Sequence, residues 1–268
     1  MTASARTDFS LKRLVENSFS AIDQGVYELK QSTYNHEVIS LRKAIMSCCH
    51  APLITEVKFS SPSQGTIRRS SEPAADIAKT MVQSGAIGIS VLTQPYFFNG
   101  SPEYLAAIRE AIASIPILMK DVVVSTVQID TAKCLGADCI LLIKTVFDRN
   151  MADNSLEKLT EYATRKGLQV LVEVHNEQEL AEALQARYDL IGINNRSLDN
   201  LEVDVTRTEK LLKTHSKGGS IIISESGIAE PTDIQYLRRA GADAFLVGTS
   251  IMQTQDIGAK IAQLYNAL

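Results

Sequence analysis

After residue 50 the chain repeats one pattern, a short apolar run that stops at a polar or charged residue. It does so eight times, and five of the runs end on charged or amide residues. Those five read Leu53-Ile54-Thr55-Glu56-Val57-Lys58, Ile117-Leu118-Met119-Lys120, Val170-Leu171-Val172-Glu173, Ile191-Gly192-Ile193-Asn194 and Ile221-Ile222-Ile223-Ser224-Glu225-Ser226. Such runs are expected of strands buried on both faces. The full set predicts strands near 52–58, 87–92, 115–120, 138–143, 168–174, 189–193, 219–224 and 243–247. Between them lie stretches of helical spacing, such as Leu156, Leu159, Tyr162 and Ala163, or Ile234, Leu237 and Ala240. Pro231 beside Glu230, Thr232 and Asp233 supplies helix-start chemistry. Strands that alternate with helices pair in parallel through right-handed crossovers. Eight such units in 268 residues point to an α/β fold closed as a (β/α)8 TIM barrel rather than an open doubly wound sheet.

A weak repeat supports closure. Ser84-Gly85-Ala86, Leu135-Gly136-Ala137-Asp138 and Ala240-Gly241-Ala242-Asp243 each end a helix and lead into a strand, with Gly suited to a positive φ. Residues 1–50 stand outside the alternation. Leu11, Leu14, Val15, Phe19 and Ile22 have helical spacing, and Leu41, Ile45 and Met46 resume it. The expectation is one barrel domain over 1–268, with 1–50 as an N-terminal helical extension that caps the bottom, shields the top or serves a partner.

Composition limits the partners. A net charge of -4 gives no reason to expect nucleic acid or an anionic membrane. No apolar stretch approaches the length of a membrane-spanning helix. Met1 to Leu14 lacks an apolar signal region, and Ser4, Arg6 and Ser10 only faintly suggest a transit peptide. Cys48, Cys49, Cys134 and Cys139 form no CxxC pair and fit no zinc pattern; Cys134 and Cys139 are expected in the core. A cytoplasmic protein with reduced thiols is the expectation.

A buried charge is costly unless paired, so charges gathered at one end of a parallel barrel look like a catalytic ring. Glu56 and Lys58 stand two apart, which sends both to one strand face, as an ion pair in the mouth or a surface pair on an edge. Ser61 lies in the small polar loop Ser60–Gly65, able to grip an anion through hydroxyl and backbone N–H groups. Lys120, among apolar walls and near another cation, is expected to have a lowered pKa suited to a general acid; a snorkelling strand-end lysine is the plainer alternative. Glu173, facing Lys58 and Lys120, would stay ionised as a base or serve as a structural salt bridge. Asn194 can orient a hydroxyl, and Arg196 suits a carboxylate or phosphate. Ser226-Gly227-Ile228 and Gly248-Thr249-Ser250 follow the seventh and eighth runs, where barrels bind phosphate on backbone N–H groups. Tyr96-Phe97-Phe98 either plugs a loop or lines the pocket of an aromatic substrate. His175 reads as a rim or solvent residue and Arg68-Arg69 as a solvated pair. His36, His50 and His215 show no metal spacing.

Taken in order, these stretches resemble indole-3-glycerol phosphate synthase, a barrel family of tryptophan biosynthesis. The resemblance rests on Ile54-Thr55-Glu56-Val57-Lys58 with Ser61-Pro62-Ser63, Tyr96-Phe97-Phe98-Asn99-Gly100-Ser101 and Ile115 to Asp121. It continues through Gly136-Ala137-Asp138, Leu171 to His175, Ile191 to Arg196 and Ser224 to Ile228. It implies ring closure, decarboxylation and dehydration of 1-(2-carboxyphenylamino)-1-deoxyribulose 5-phosphate, with neither metal nor organic cofactor. By position, Lys120 matches the family's general acid and Glu173 the partner of later proton transfers. Lys58 matches a substrate-binding residue that can supply the proton for dehydration, and Glu56 and Asn194 match orienting residues. Ser226 matches a supporting polar position, Arg196 an anion contact, and Ser61, Gly227, Gly248 and Thr249 anion-binding positions. Phe98 matches an aromatic-pocket residue. The partner implied is a phosphorylated small molecule; self-association and contacts with pathway enzymes stay open.

Three positions depart from the family pattern: Phe59, where a basic residue is common; Gln64, where Lys is frequent; and Val122, where an aromatic is often found. Phe59 points away from the lumen by parity. A rival barrel, phosphoribosylanthranilate isomerase, wants a Cys and Asp pair at its strand ends, whereas the first run here ends Glu-Val-Lys. A silent barrel kept for binding would be favoured by loss of Lys58, Lys120 or Glu173, and all three are present.

Overall fold

A computed structural model of the chain describes residues 10–28, 34, 36–68 and 72–268. Arg69 and the start of the chain, with Ser4 and Arg6, lie outside the described residues. The eight apolar runs are eight parallel strands: β1 Leu53–Val57, β2 Gly88–Leu92, β3 Ile117–Lys120, β4 Cys139–Ile143, β5 Gln169–Val174, β6 Leu190–Asn194, β7 Ile221–Glu225 and β8 Ala244–Val247. Each pairs with its sequence neighbours, and β8 returns to β1 with Leu53 opposite Phe245 and Thr55 opposite Val247, so the barrel is closed. Every residue of β1, β2, β4, β6, β7 and β8 is buried, which is why these runs are apolar throughout instead of alternating.

The connecting helices start and stop by local chemistry. Ser101, Ser125, Ser155 and Asn176 each cap a helix by accepting from a backbone N–H two or three residues on. Glu230 and Asp233 form a reciprocal capping box around Pro231. Gly85, Gly136 and Gly241, the three repeat glycines, have φ of 111°, 86° and 108°. Cys139 is buried, whereas Cys134 is only half-buried.

The N-terminal segment does two jobs at once. Helix α1 (Leu11–Asp23) lies over the C-terminal end of the barrel, with Leu14 in the wall of the mouth. Just beyond it, the buried Tyr27 hydroxyl donates to Asp121, the residue after β3, at 2.7 Å. Helix α2 (Leu41–Ser47) lies at the opposite end. There the Leu41 N–H donates to Gln169 Oε1 at the start of β5, and Arg42 donates to Asp189 O and Gly219 O ahead of β6 and β7. Met46 is 66 % exposed, so the stripe of α2 that packs inward is Leu41 and Ile45 without it.

One buried carboxylate fastens the bottom. Asp138 accepts from Ile117 N–H at 2.7 Å, Ile39 N–H at 2.8 Å and the guanidinium of Arg109, and it lies 2.8 Å from His36 Nε2. Arg109 is 1 % exposed and also donates to three carbonyls. Asp138→Ala would leave that guanidinium buried without its counter-charge, at a cost of about 3–5 kcal/mol. Chemical denaturation should show a lower midpoint with an unchanged slope; a loss below about 1 kcal/mol would mean the cluster is not what holds this end.

Candidate active site

Because all eight strands are parallel, their C-terminal ends open on one face, and side chains two apart point the same way. All twelve candidate residues line a single cavity of about 370 Å³ there: Glu56, Lys58, Ser61, Phe98, Lys120, Glu173, Asn194, Arg196, Ser226, Gly227, Gly248 and Thr249. Glu225 joins them, although the sequence points to its neighbour Ser226 instead. Its signal was parity: Ile221, Ile223 and Glu225 face the lumen, while Ser224 turns outward to Asn195 and Thr208.

The polar groups form two clusters. In the first, Lys58 Nζ lies 2.6 Å from Glu56 Oε1, the ion pair expected from their spacing. In the second, Lys120 Nζ donates to Glu173 Oε2 at 3.0 Å and lies 3.4 Å from Glu225 Oε2. Glu173 therefore faces Lys120 but not Lys58. Its other neighbour is His175, whose Nε2 lies 3.2 Å from Glu173 Oε1. His175 is accordingly not a solvent residue: its side chain is 9 % exposed.

The electrostatics reverse one expectation. Burial pushes the Lys120 pKa down, but the Glu173, Glu225 and Glu56 charges outweigh it and raise it well above the ordinary lysine value. The sequence suggested the opposite because Lys58, the other cation, is spent on Glu56. Burial pushes Glu173 up, yet Lys120 and His175 hold it well below the usual carboxylate range. Glu225 is pushed up to about 8, by burial first and then by the Glu173 and Glu56 charges, against the pull of Lys120. Lys120 is shared between Glu173 and Glu225, and Glu173 has a second partner in His175. Glu225 Oε1 has no hydrogen-bond partner among the described residues.

Two glycines make room for these side chains. A Cβ on Gly192 would stand 2.1 Å from Glu225 Oε1, and one on Gly248 2.7 Å from Glu56 Oε1. Opposite the lysines, the chain after β7 passes through two left-handed residues, Ser226 at φ 69° and Gly227 at φ 83°. A side chain at Gly227 would also strike Val203 and Val205. Ser250 Oγ donates to Ile228 O at 2.8 Å, which ties the loops after β7 and β8 together beside the short helix Thr249–Met252. Arg196 is steadied through its guanidinium on Leu201 O at 2.8 Å, and its backbone N–H donates to Asn194 Oδ1.

Of the three aromatics after β2, only Phe98 reaches the cavity; Tyr96 is 43 % exposed. Ser61 is buried at the cavity edge in a two-stranded hairpin, Ser60–Ser61 with Gly65–Thr66. Arg68 is not a free solvated residue: it donates to Met252 O, Thr254 O and Glu72, and Gln253 donates to Gln64 at 2.7 Å. The loop after β1 is thereby fastened to the helix after β8.

Comparison with known proteins agrees with this architecture. Among solved structures, 3-hexulose-6-phosphate synthase from Salmonella typhimurium superposes with a TM-score of 0.64 at 16% identity, over 81% of this chain and 98% of the other. Thiamine phosphate pyrophosphorylase from Pyrococcus furiosus gives 0.61 at 15% identity, over 85% and 97%. At such identities the likeness is one of fold. Closer relatives exist in sequence. The indole-3-glycerol phosphate synthase of a Polaromonas species is 41% identical over 229 residues, 85% of this chain and 84% of the relative. The one from Acetivibrio thermocellus is 40% identical over 228 residues, 85% of each chain. The profile of the family described as indole-3-glycerol phosphate synthase matches residues 11–264, and this chain belongs to that family.

Proposed function

We propose that the cavity binds 1-(2-carboxyphenylamino)-1-deoxyribulose 5-phosphate and converts it to indole-3-glycerol phosphate, with the residues above in separate roles. The observation that carries this reading is the buried Lys120 ammonium between Glu173 and Glu225, in a cavity whose remaining wall is largely apolar. Ring closure needs a proton on the ketone oxygen as the ring carbon attacks, and Lys120 supplies it. Decarboxylation then returns an electron pair to the ring. Dehydration needs a proton on the departing hydroxyl, a task for Lys58, and a base for the ring proton, a task for Glu173. Glu56 and Asn194 orient the lysines and the substrate hydroxyls, and Ser226 supports them. Gly227, Gly248, Thr249 and Ser61 offer N–H and hydroxyl donors to the phosphate. Arg196 contacts an anionic group, and Phe98 packs against the aromatic ring.

The raised pKa of Lys120 fits this scheme. The surrounding carboxylates keep the ammonium charged. A substrate entering there offers a neutral ketone oxygen in their place and expels water, and both changes lower the pKa toward that of a usable acid. The same proposal takes residues 1–268 as one barrel domain with 1–50 as its extension. It also sets the protein in the cytoplasm, in keeping with four free cysteines.

Purified protein mixed with the substrate should yield a rise in indole fluorescence, and no product would sink the reading. Lys120→Ala should lower kcat roughly a thousandfold; an undiminished rate would remove Lys120 from its role. Gly192→Ala meets only the far end of Glu225, so the fold should survive while that carboxyl is displaced. A kcat loss on the order of 100-fold with a near-normal thermal midpoint is expected. A near-normal kcat would show that the position of Glu225 is immaterial.

A further inference from the structure

His175 stands one residue past the end of β5, on the same side of the strand as Glu173. Its ring is wedged between two carboxylates. Nε2 lies 3.2 Å from Glu173 Oε1, and Nδ1 lies 3.7 Å from Glu179 Oε2 and 3.4 Å from the Thr145 hydroxyl. That hydroxyl has its own proton committed to Glu179 Oε1 at 2.7 Å, so toward the ring it can only accept. Both ring nitrogens therefore lie next to acceptors, Nε2 as a close contact to Glu173 without hydrogen-bond alignment. A neutral imidazole carries one N–H and an imidazolium two, so the surroundings select the cation.

The wedge is itself held in place. Glu179 Oε2 accepts from the His175 backbone N–H at 2.8 Å, and Oε1 also accepts from Asn176 Nδ2 at 2.9 Å. Asn176 caps the helix Glu177–Gln185 that carries Glu179. The outer edge of the ring lines a second cavity of about 600 Å³, whose charged groups are Asp148, Arg149, Glu182, Asp199 and Arg207 besides Glu179. Arg149 is 3.7 Å from Asp199, and Arg207 donates to Asn194 O, so neither of these cations is paired with Glu179. On the lumen side, Glu173 faces Lys120 through its other oxygen, with the Glu225 and Glu56 charges beyond.

We propose that His175 is a positioning residue for Glu173, a fixed imidazolium that keeps one carboxylate oxygen anchored while Lys120 leaves the other for the substrate. The inference rests on the reaction proposed above. Lys120 must turn from Glu173 to the ketone oxygen when it acts. Without a second cation, Glu173 would then be a buried, unpaired carboxylate, free to follow the ammonium or take up a proton. With His175 in place it stays ionised and stationary as a base. Burial acts against the imidazolium, but Glu173 and Glu179 prevail and raise its pKa to about 9.

The test uses the full chain. The protein has four histidines, so ring 15N spectra can be assigned by single substitution. In the wild type at pH 7.5 both nitrogens of His175 should carry protons, and in Glu173→Gln the ring should titrate closer to the ordinary histidine value. A neutral ring in the wild type would overturn the proposal. In the substrate assay, His175→Asn removes the charge and keeps a donor. Its kcat should fall tenfold or more with KM within about threefold, and the acid limb of kcat/KM should move up by about 1–3 pH units as Glu173 loses its cation. An unmoved acid limb would reduce His175 to a structural residue and defeat the proposal. Glu179→Gln should move the limb the same way by less. If the wild type forms no product, the reaction reading fails, while the ring spectra still decide whether the clamp exists.

Discussion

One ammonium group surrounded by acid governs the mouth of this barrel. Lys120 is 14 % exposed and has Glu173, Glu225 and Glu56 around it, while Lys58, the other lysine of the cavity wall among the described residues, is held by Glu56. A charge in such a place costs several kcal/mol in lost hydration, and removing either partner would strand the other. The lumen therefore has to deliver Lys120 and Glu173 together, from β3 and β5, and Glu225 from β7. The closed parallel barrel brings those strand ends within a few ångströms of one another. Gly192 and Gly248 follow from the same demand, since they sit where acidic side chains lie across the wall.

Much of this was legible in the sequence, because strand parity and strand ends are local properties. Glu56 and Lys58 pair as their spacing of two requires, and the repeat glycines take the positive φ their helix ends need. What escaped was tertiary. Glu225 was hidden between two serines, and its reach toward Lys120 depends on an empty position, Gly192, on the neighbouring strand. His175 lies beyond its strand, so parity alone could not say that Glu179 would hold its backbone and turn the ring inward. The Lys120 pKa runs opposite to the sequence expectation for a related reason: Lys58 is no free neighbouring cation, because Glu56 pairs with it.

The aromatic run after β2 shows the same boundary between local and tertiary information. Composition marked all three residues, but only Phe98 turns into the cavity, at the end of the short helix Pro95–Phe98, while the Tyr96 hydroxyl reaches toward Ser20 in α1. Arg68 likewise reads as an ordinary loop charge until the chain after β8 supplies the carbonyls it binds.

The N-terminal segment touches both ends of the barrel, and this has a consequence for how the chain assembles. Its lower anchors join residues 128 to 177 positions apart: Leu41 to Gln169, and Arg42 to Asp189 and Gly219. The segment synthesised first thus waits for strands synthesised much later, and such long-range closures are slow to form. The anchors of α2 form only once β5, β6 and β7 stand side by side, because Gln169, Asp189 and Gly219 lie at the entries of those three strands.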